Sequence, residues 1–369
     1  MKQTVGIITM HRVKNYGSIL QTFALQKIID SLGYKSEVID YIYPNSWQYD
    51  RGVTPVVYNW KNKIAKFLWL KPMWRKYNKM DRFISNNIVL SPKYFNPTDF
   101  NNNPPIYDIY LTGSDQVWNP KYTKGDPVFF LGSINSSNKI SYSSSFALDK
   151  LPVEYLEEYK KHLSKYKYIS VREDNGKILV KEMIGKDVPV VLDPTLLLNK
   201  EQWFSFIKKR KPIIKGHYIL LYILDYAVNP YKILNSFLGN KTEKSKKIVS
   251  IGVLKDMNCH IDRTMKDASI EDFLNLFYYS DLVITSSFHG TAFAVNFGKP
   301  LLSIVPNACD DRQLTLLNLL GLDNCILNDN CKDFSNIKMK QNPIEIQNKL
   351  EEYRIMSINY LEKALSSCR

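Results

Sequence analysis

Short apolar runs that alternate with helical stretches, in two successive passes, constrain this chain more than any other feature. Residues 4–9 read as a buried strand, 10–17 as a polar loop, and 18–32 as a helix. The apolar positions Ile19, Leu20, Phe23, Leu25, Ile28 and Ile29 of that helix recur at helical spacing. Gly33 offers the left-handed residue that ends such a helix, and residues 35–39 return as a strand. A strand–helix–strand opening favours a parallel sheet with right-handed crossovers. Further strands are expected over 108–111, 139–143, 168–171 and 190–192, with a helix over 153–164. A second pass starts at His217, with strands over 218–223, 247–251, 282–285 and 301–305 and helices over 270–279 and 290–297. The expected fold class is therefore α/β: two doubly wound Rossmann-like domains facing a cleft, over residues 1–205 and 206–342. A last helix, 343–369, packs back on the first domain.

At 369 residues, 44% hydrophobic and 23% charged, the chain has enough apolar surface for two cores. No run reaches the roughly 18 apolar residues of a membrane span. The N-terminal apolar stretch is cut short by His11 and Arg12, as a strand is and a secretion signal is not. Five cysteines, odd in number and without metal-like pairing, read as reduced thiols in the cytoplasm. No His, Asp or Cys cluster has ligand spacing, so neither a metal nor a cofactor is expected. The net charge of +14 favours anionic partners, but no nucleic-acid module is recognisable and nucleic acid is not expected.

Residues 56–84 interrupt the α/β pattern. Between Lys61 and Arg82 there are eight basic residues against one acid, Asp81, interleaved with Phe67, Trp69, Trp74 and Tyr77 and preceded by Trp60. Two readings stand: a pair of surface helices separated at Lys71-Pro72 with a solvated basic face, or a patch over 58–83 resting on an anionic membrane.

Four strand-end loops carry the candidate chemistry. The first holds His11, Asn15 and Tyr16 before a helix start, suited to a sugar or an anion; Asn15 and Ser18 equally fit as caps. The second runs from Gly113 to Trp118. Asp115 and Gln116 match sugar hydroxyls and Trp118 a sugar ring, unless Asp115 is a cap and Trp118 is core. The third ends in Arg172, a planar fork for carboxylate or phosphate, or one half of a surface ion pair with Glu173. The fourth, Thr285 to Thr291, precedes a helix that is apolar on several faces. Ser287, Phe288, His289 and Gly290 there would bring backbone N–H groups and an imidazole to an anion, with Gly290 allowing close approach.

Six stretches in fixed order, GIITMHRVKNYGSILQTFALQ, YDIYLTGSDQVWN, SYSSSFA, SVRE, VVLDPTLLL and DLVITSSFHGTAFAVNFGKPLLSI, span residues 6–304. Together they resemble the polysaccharide pyruvyltransferase family. The resemblance implies a glycosyltransferase-B-like fold, phosphoenolpyruvate as co-substrate, and no metal. It also implies a sugar acceptor, polymeric or lipid-linked, in exopolysaccharide or capsule biosynthesis. The family's donor-binding arginine looks like Arg172 and its cleft histidine like His289; the chemistry of ketal formation then suggests His289 as proton donor or phosphate clamp and Asp115 as base or orienter of the attacking hydroxyl. Arg172, Ser287, Phe288, Gly290 and Arg312 fall on the donor side. His11, Asn15, Tyr16, Gln116 and Trp118 fall on the acceptor side. Family members carry an arginine two residues before the histidine; Ser287 stands there in this chain, which shifts donor binding towards the helix N-terminus, Arg172 and Arg312.

Two other functions compete. A nucleotide-sugar glycosyltransferase would need a ribose-binding carboxylate, whereas Glu271 and Asp272 fit the first turn of a helix. A non-catalytic polysaccharide-binding protein would make the basic, aromatic segment its main feature. The expected location is the cytoplasm, with peripheral contact at the inner face of the membrane. Oligomeric state is not legible in the sequence.

Overall fold

Asn15 starts the first helix, Tyr16–Ser31, by accepting a hydrogen bond from the Gly17 amide, and Gly33 (φ +93°) turns the chain out of it. The computed structural model describes residues 2–42, 62–207, 210–224, 230–239, 246–254, 256–305, 311–328 and 342–368, with side chains in the second stretch from residue 71. Trp60, Lys61, Cys309 and Cys331 lie outside the described residues, as do the side chains of Lys63, Lys66, Phe67 and Trp69.

Two compact units result. The first comprises Met1–Phe67, Met80–Leu197 and Tyr353–Arg369; the second comprises Leu68–Lys79 and Leu198–Glu352. The division thus falls at Leu197 rather than at residue 205. The end of the last helix, Pro343–Ser366, is fixed to the first unit by hydrogen bonds. Ser357 Oγ accepts from the Leu192 amide (3.0 Å), Arg354 Nε donates to the Leu196 carbonyl (2.8 Å), and Tyr360 donates to the Ser141 carbonyl (3.1 Å).

The first unit contains β1 (Thr4–Ile8), β2 (Lys35–Tyr41), β3 (Leu90–Tyr94), β4 (Ile109–Thr112) and β5 (Lys139–Ser141). They pair in parallel in the order β3-β2-β1-β4-β5. The stretches expected as strands at 168–171 and 190–192 contribute single bridges instead, Ile140 to Tyr168, Ser144 to Val171 and Val171 to Val190. The regular ladder stops where Ser143 adopts a left-handed backbone (φ +53°).

The second unit contains β6 (Tyr218–Tyr222), β7 (Lys247–Ile251), β8 (Arg263–Met265), β9 (Leu282–Thr285), β10 (Leu301–Ile304) and β11 (Ile326–Leu327). Again all are parallel, in the order β11-β10-β9-β6-β7-β8. Strand order reverses between β1 and β4 in one sheet and between β6 and β9 in the other. Ligands of doubly wound sheets bind beyond the carboxyl ends of strands at such points. The loops after β1, β4 and β9 hold most of the candidate residues.

The basic segment differs from its expected form. Pro72 does not separate a pair of helices: one helix, Asn62–Asn87, runs through it. A proline there forfeits one backbone hydrogen bond and crowds the preceding turn. Contacts C-terminal to Pro72 anchor the helix. Arg75 and Lys79 bind Asp267, Phe83 meets Phe23 edge-on at 5.5 Å, and Met80 and Ile84 are fully buried.

Candidate active site

In the first unit, Asp115 follows β4 in a left-handed conformation (φ +76°) that is costly for a residue with a Cβ. The turn is held by backbone bonds, Ser145 N to Asp115 O (3.0 Å) and Trp118 N to Ser145 O (3.2 Å). The carboxylate accepts from Ser18 Oγ (2.5 Å) and from the Gln116 amide (2.9 Å). Arg172 Nη2 stands 3.7 Å from Asp115 Oδ1, while Nη1 binds Asp193 Oδ2 at 2.8 Å. Asp193 is fixed in turn by Ser114 Oγ (2.9 Å), the Thr195 amide (2.9 Å) and Thr195 Oγ1 (2.7 Å). Glu173 Oε1 accepts from the amides of Phe146 and Ala147, where the backbone is again left-handed (Ala147 φ +49°). Left-handed non-glycine residues cost about 1–3 kcal/mol each and concentrate at functional sites. Asp115, Ser143 and Ala147 are three of them, in the loops that follow β4 and β5. A carboxylate fixed by a hydroxyl, an amide and a nearby guanidinium can orient a hydroxyl and take its proton.

Several expected roles change here. Arg172 is buried, with Nη1 bound to Asp193 and Nη2 3.7 Å from Asp115, so the donor role expected of it requires an anion to join or displace these carboxylates. Trp118 offers no face to a sugar. It is fully buried, stacked on Phe130 (centroids 5.9 Å, 7°) and edge-on to Tyr166. His11 is also fully buried, with Nε2 3.0 Å from Asp40 Oδ1 and Nδ1 3.2 Å from the Thr9 carbonyl oxygen, and so ties its loop to β2. Tyr16 is buried, and the Gln116 side-chain oxygen is taken by Asn119 Nδ2 (2.9 Å). Asn15 is partly exposed and caps the helix.

The Asp40 cluster yields a pH prediction. Burial alone would raise its carboxyl, but hydrogen bonds from His11 and Arg12, with their charges, outweigh that and hold it at about 2. The folded value is depressed, so the stabilisation is complete above the ordinary carboxylate value and is lost as pH falls towards 2. The shift is worth about 2 kcal/mol. Urea midpoints measured from pH 5 down to pH 2 should fall more steeply in the wild type than in Asp40→Asn. Parallel slopes would show that the cluster contributes nothing.

In the second unit, β9 runs into Ser286 and Ser287 and then the helix Phe288–Asn296, buried at every position. Each hydroxyl before the helix is engaged. Thr285 Oγ1 donates to the Tyr222 carbonyl (2.6 Å) and accepts from the Ser287 amide (3.1 Å). Ser286 Oγ accepts from the Leu224 amide (2.9 Å) and donates to its carbonyl (3.0 Å), joining the ends of β6 and β9. Ser287 is the N-cap, its Oγ taking the Gly290 amide at 3.4 Å. Thr291 Oγ1 lies 3.0 Å from Ser303 Oγ, and Gln313 Nε2 donates to both.

His289 is therefore the second residue of a buried helix at the switch point, its ring edge-on to Phe288 at 5.1 Å. The helix N-terminus carries the positive end of the peptide dipoles and favours an anion beside the imidazole. Gly290, expected to allow close ligand approach, also has a packing role. A Cβ there would come within 2.2 Å of Thr285 Oγ1 and 2.9 Å of the Tyr222 ring, so the missing side chain serves helix–strand packing. Arg312 sits in the helix Asp311–Leu320, next to Gln313.

The structure thus gathers Asp115 and Arg172 in one unit, and Ser287, Phe288, His289 and Gly290 in the other. Sequence reasoning missed Asp193, Gln313, the partnership of Ser18 with Asp115 and the turn at Ser143–Ser145, and named Glu173 only as an ion-pair partner of Arg172. In the sequence Asp193 signals only a turn before Pro194. Asp272 forms a capping box with Ser269, the first-turn role expected of it rather than that of a ribose ligand. Among the described residues no group of three or more His, Cys, Asp or Glu could hold a metal, and no helix is long and apolar enough to cross a membrane. Cys259, Cys325 and Cys368 are free thiols.

Solved structures with a similar fold include UDP-N-acetylglucosamine 2-epimerase from Rickettsia bellii, with a TM-score of 0.56 and 12% identity over 100% of this chain and 97% of that one. Another is Arabidopsis thaliana UGT89C1 complexed with UDP-L-rhamnose, with a TM-score of 0.50 and 10% identity over 98% of each chain. Identities this low speak to the fold alone, which is that of glycosyltransferase-B enzymes and related epimerases. No curated protein matches the chain. The family model for polysaccharide pyruvyl transferase matches residues 15–307, a span that includes Asp115, Arg172 and His289. This chain belongs to the polysaccharide pyruvyl transferase family.

Proposed function

We propose that the protein forms a pyruvate ketal on a sugar of a cell-surface polysaccharide or its lipid-linked precursor, with phosphoenolpyruvate as donor. Family membership makes it a transferase. The observation that carries the donor assignment is His289, buried at the N-terminus of a helix at a switch point, where a small polyanion meets both dipole and imidazole.

In the proposed reaction a proton adds to the methylene carbon of phosphoenolpyruvate, which becomes a methyl group, and the neighbouring carbon becomes electrophilic. One sugar hydroxyl bonds to that carbon; the carbon–oxygen bond to phosphate breaks, and the second hydroxyl takes its place. Of the two hydroxyl protons released, one replaces the proton given to the methyl group and the other leaves with phosphate. His289 supplies the first proton or clamps the phosphate, and Asp115 receives a hydroxyl proton. Arg172, bound to Asp193, places a positive charge 3.7 Å from the Asp115 carboxylate.

The test is phosphate release from phosphoenolpyruvate across a panel of sugars, run beside nucleotide release from sugar nucleotides. Sugar-dependent phosphate release supports the proposal. Nucleotide release without phosphate release would transfer the chain to the glycosyltransferases whose fold it shares. Asp115→Asn, which keeps the hydrogen-bonding shape and removes the base, should lower turnover by about 10²-fold. Unchanged turnover in a folded variant removes Asp115 from the reaction.

A further inference from the structure

Over its described side chains, from Lys71 on, the helix Asn62–Asn87 turns one face outward. Lys71, Trp74, Arg75, Asn78 and Arg82 are exposed and recur at intervals of three and four residues. Asp81, the helix's one carboxylate, lies on the same face, three residues after Asn78 and seven after Trp74, and is paired with Lys14. Trp74 is 67% exposed and makes no aromatic contact among the described residues, whereas Trp118 and Trp203 are fully buried. The exposure does not come from a loose helix. Met80 and Ile84 are buried on the opposite side, and Arg75 and Lys79 bind Asp267.

We propose that this face docks the protein on an anionic bilayer surface. Lys71 and Arg82 would meet anionic headgroups. Arg75 shares its charge with Asp267 and adds mainly its exposed stem. Trp74 would sit at headgroup level, its ring in the acyl boundary and its N–H towards headgroup oxygens. The indole selects the partner. Cations alone would serve any polyanion, but an unshielded tryptophan among them suits a layer that is anionic outside and apolar beneath. The docking does not depend on the donor chemistry proposed above, because vesicle binding needs no turnover.

The test is co-sedimentation of the full chain with vesicles of phosphatidylcholine alone and of phosphatidylcholine with one-third phosphatidylglycerol. Binding to the anionic vesicles only is expected, with a blue shift of tryptophan emission that Trp74→Phe removes. Trp74→Ala should weaken binding about tenfold, and Lys71→Glu with Arg82→Glu at least about tenfold, with the unfolding midpoint kept in both. Equal binding to the two vesicle types overturns the proposal, as does undiminished binding by Trp74→Ala. Tight binding to DNA or an acidic polysaccharide that is indifferent to Trp74 marks a general polyanion site and also overturns it.

Discussion

His289→Gln should lower phosphate release from phosphoenolpyruvate by about 10²–10⁴-fold, the range typical of losing a positioned acid or base. Glutamine keeps a polar side chain of similar length and removes the imidazole, so the buried helix Phe288–Asn296 should survive the change. The kinetic form of the loss separates the two roles left open. A proton donor acts in the transition state, so its removal lowers kcat while the KM for phosphoenolpyruvate stays near wild type. A phosphate clamp also acts in the ground state, so its removal raises KM. If a folded His289→Gln protein keeps both constants, the positive helix terminus suffices without the imidazole and the proposed chemistry loses its central group.

How much of the fold and site is legible in the sequence depends on where each interaction partner lies in the chain. The central strands β1, β6, β9 and β10 are apolar runs that announce themselves, and the loops at their ends become visible with them. The edge strands β3, β8 and β11 do not. β3 carries Pro92 and Lys93, features that blunt a sheet edge and also erase the strand pattern. Trp118 misleads for a different reason. An indole close behind a loop carboxylate looks available for a sugar, but its burial is decided by Phe130, Phe146 and Tyr166, which arrive from separate segments. Asp193 is invisible as a site residue because an Asp-Pro pair spells a turn. Its role exists only through Arg172, brought to it by the bridges from Ser144 to Val171 and from Val171 to Val190. Residue types mark possible chemistry, and long-range pairing decides which of them is spent on holding the others.

Gly290→Ala gives the largest expected effect on stability, and it decides between two meanings of that glycine. An added Cβ would lie 2.2 Å from Thr285 Oγ1, an atom already committed to the Tyr222 carbonyl and the Ser287 amide. The helix must shift or Thr285 must abandon both bonds. Overpacking costs about 1–3 kcal/mol, and stranding buried polar groups adds about 1–3 kcal/mol. A loss of roughly 3 kcal/mol would lower the unfolding midpoint of a unit this size by about 10 °C. Because the clash has a named partner, Thr285→Ala should soften it. The double variant should be less destabilised than the sum of the two single changes, by about 1 kcal/mol. Were Gly290 instead there to admit a ligand, Gly290→Ala would keep the wild-type midpoint and lose donor affinity. Strict additivity with Thr285→Ala would likewise show that the contact is relieved elsewhere and that the helix N-terminus is not fixed to β9 in this way.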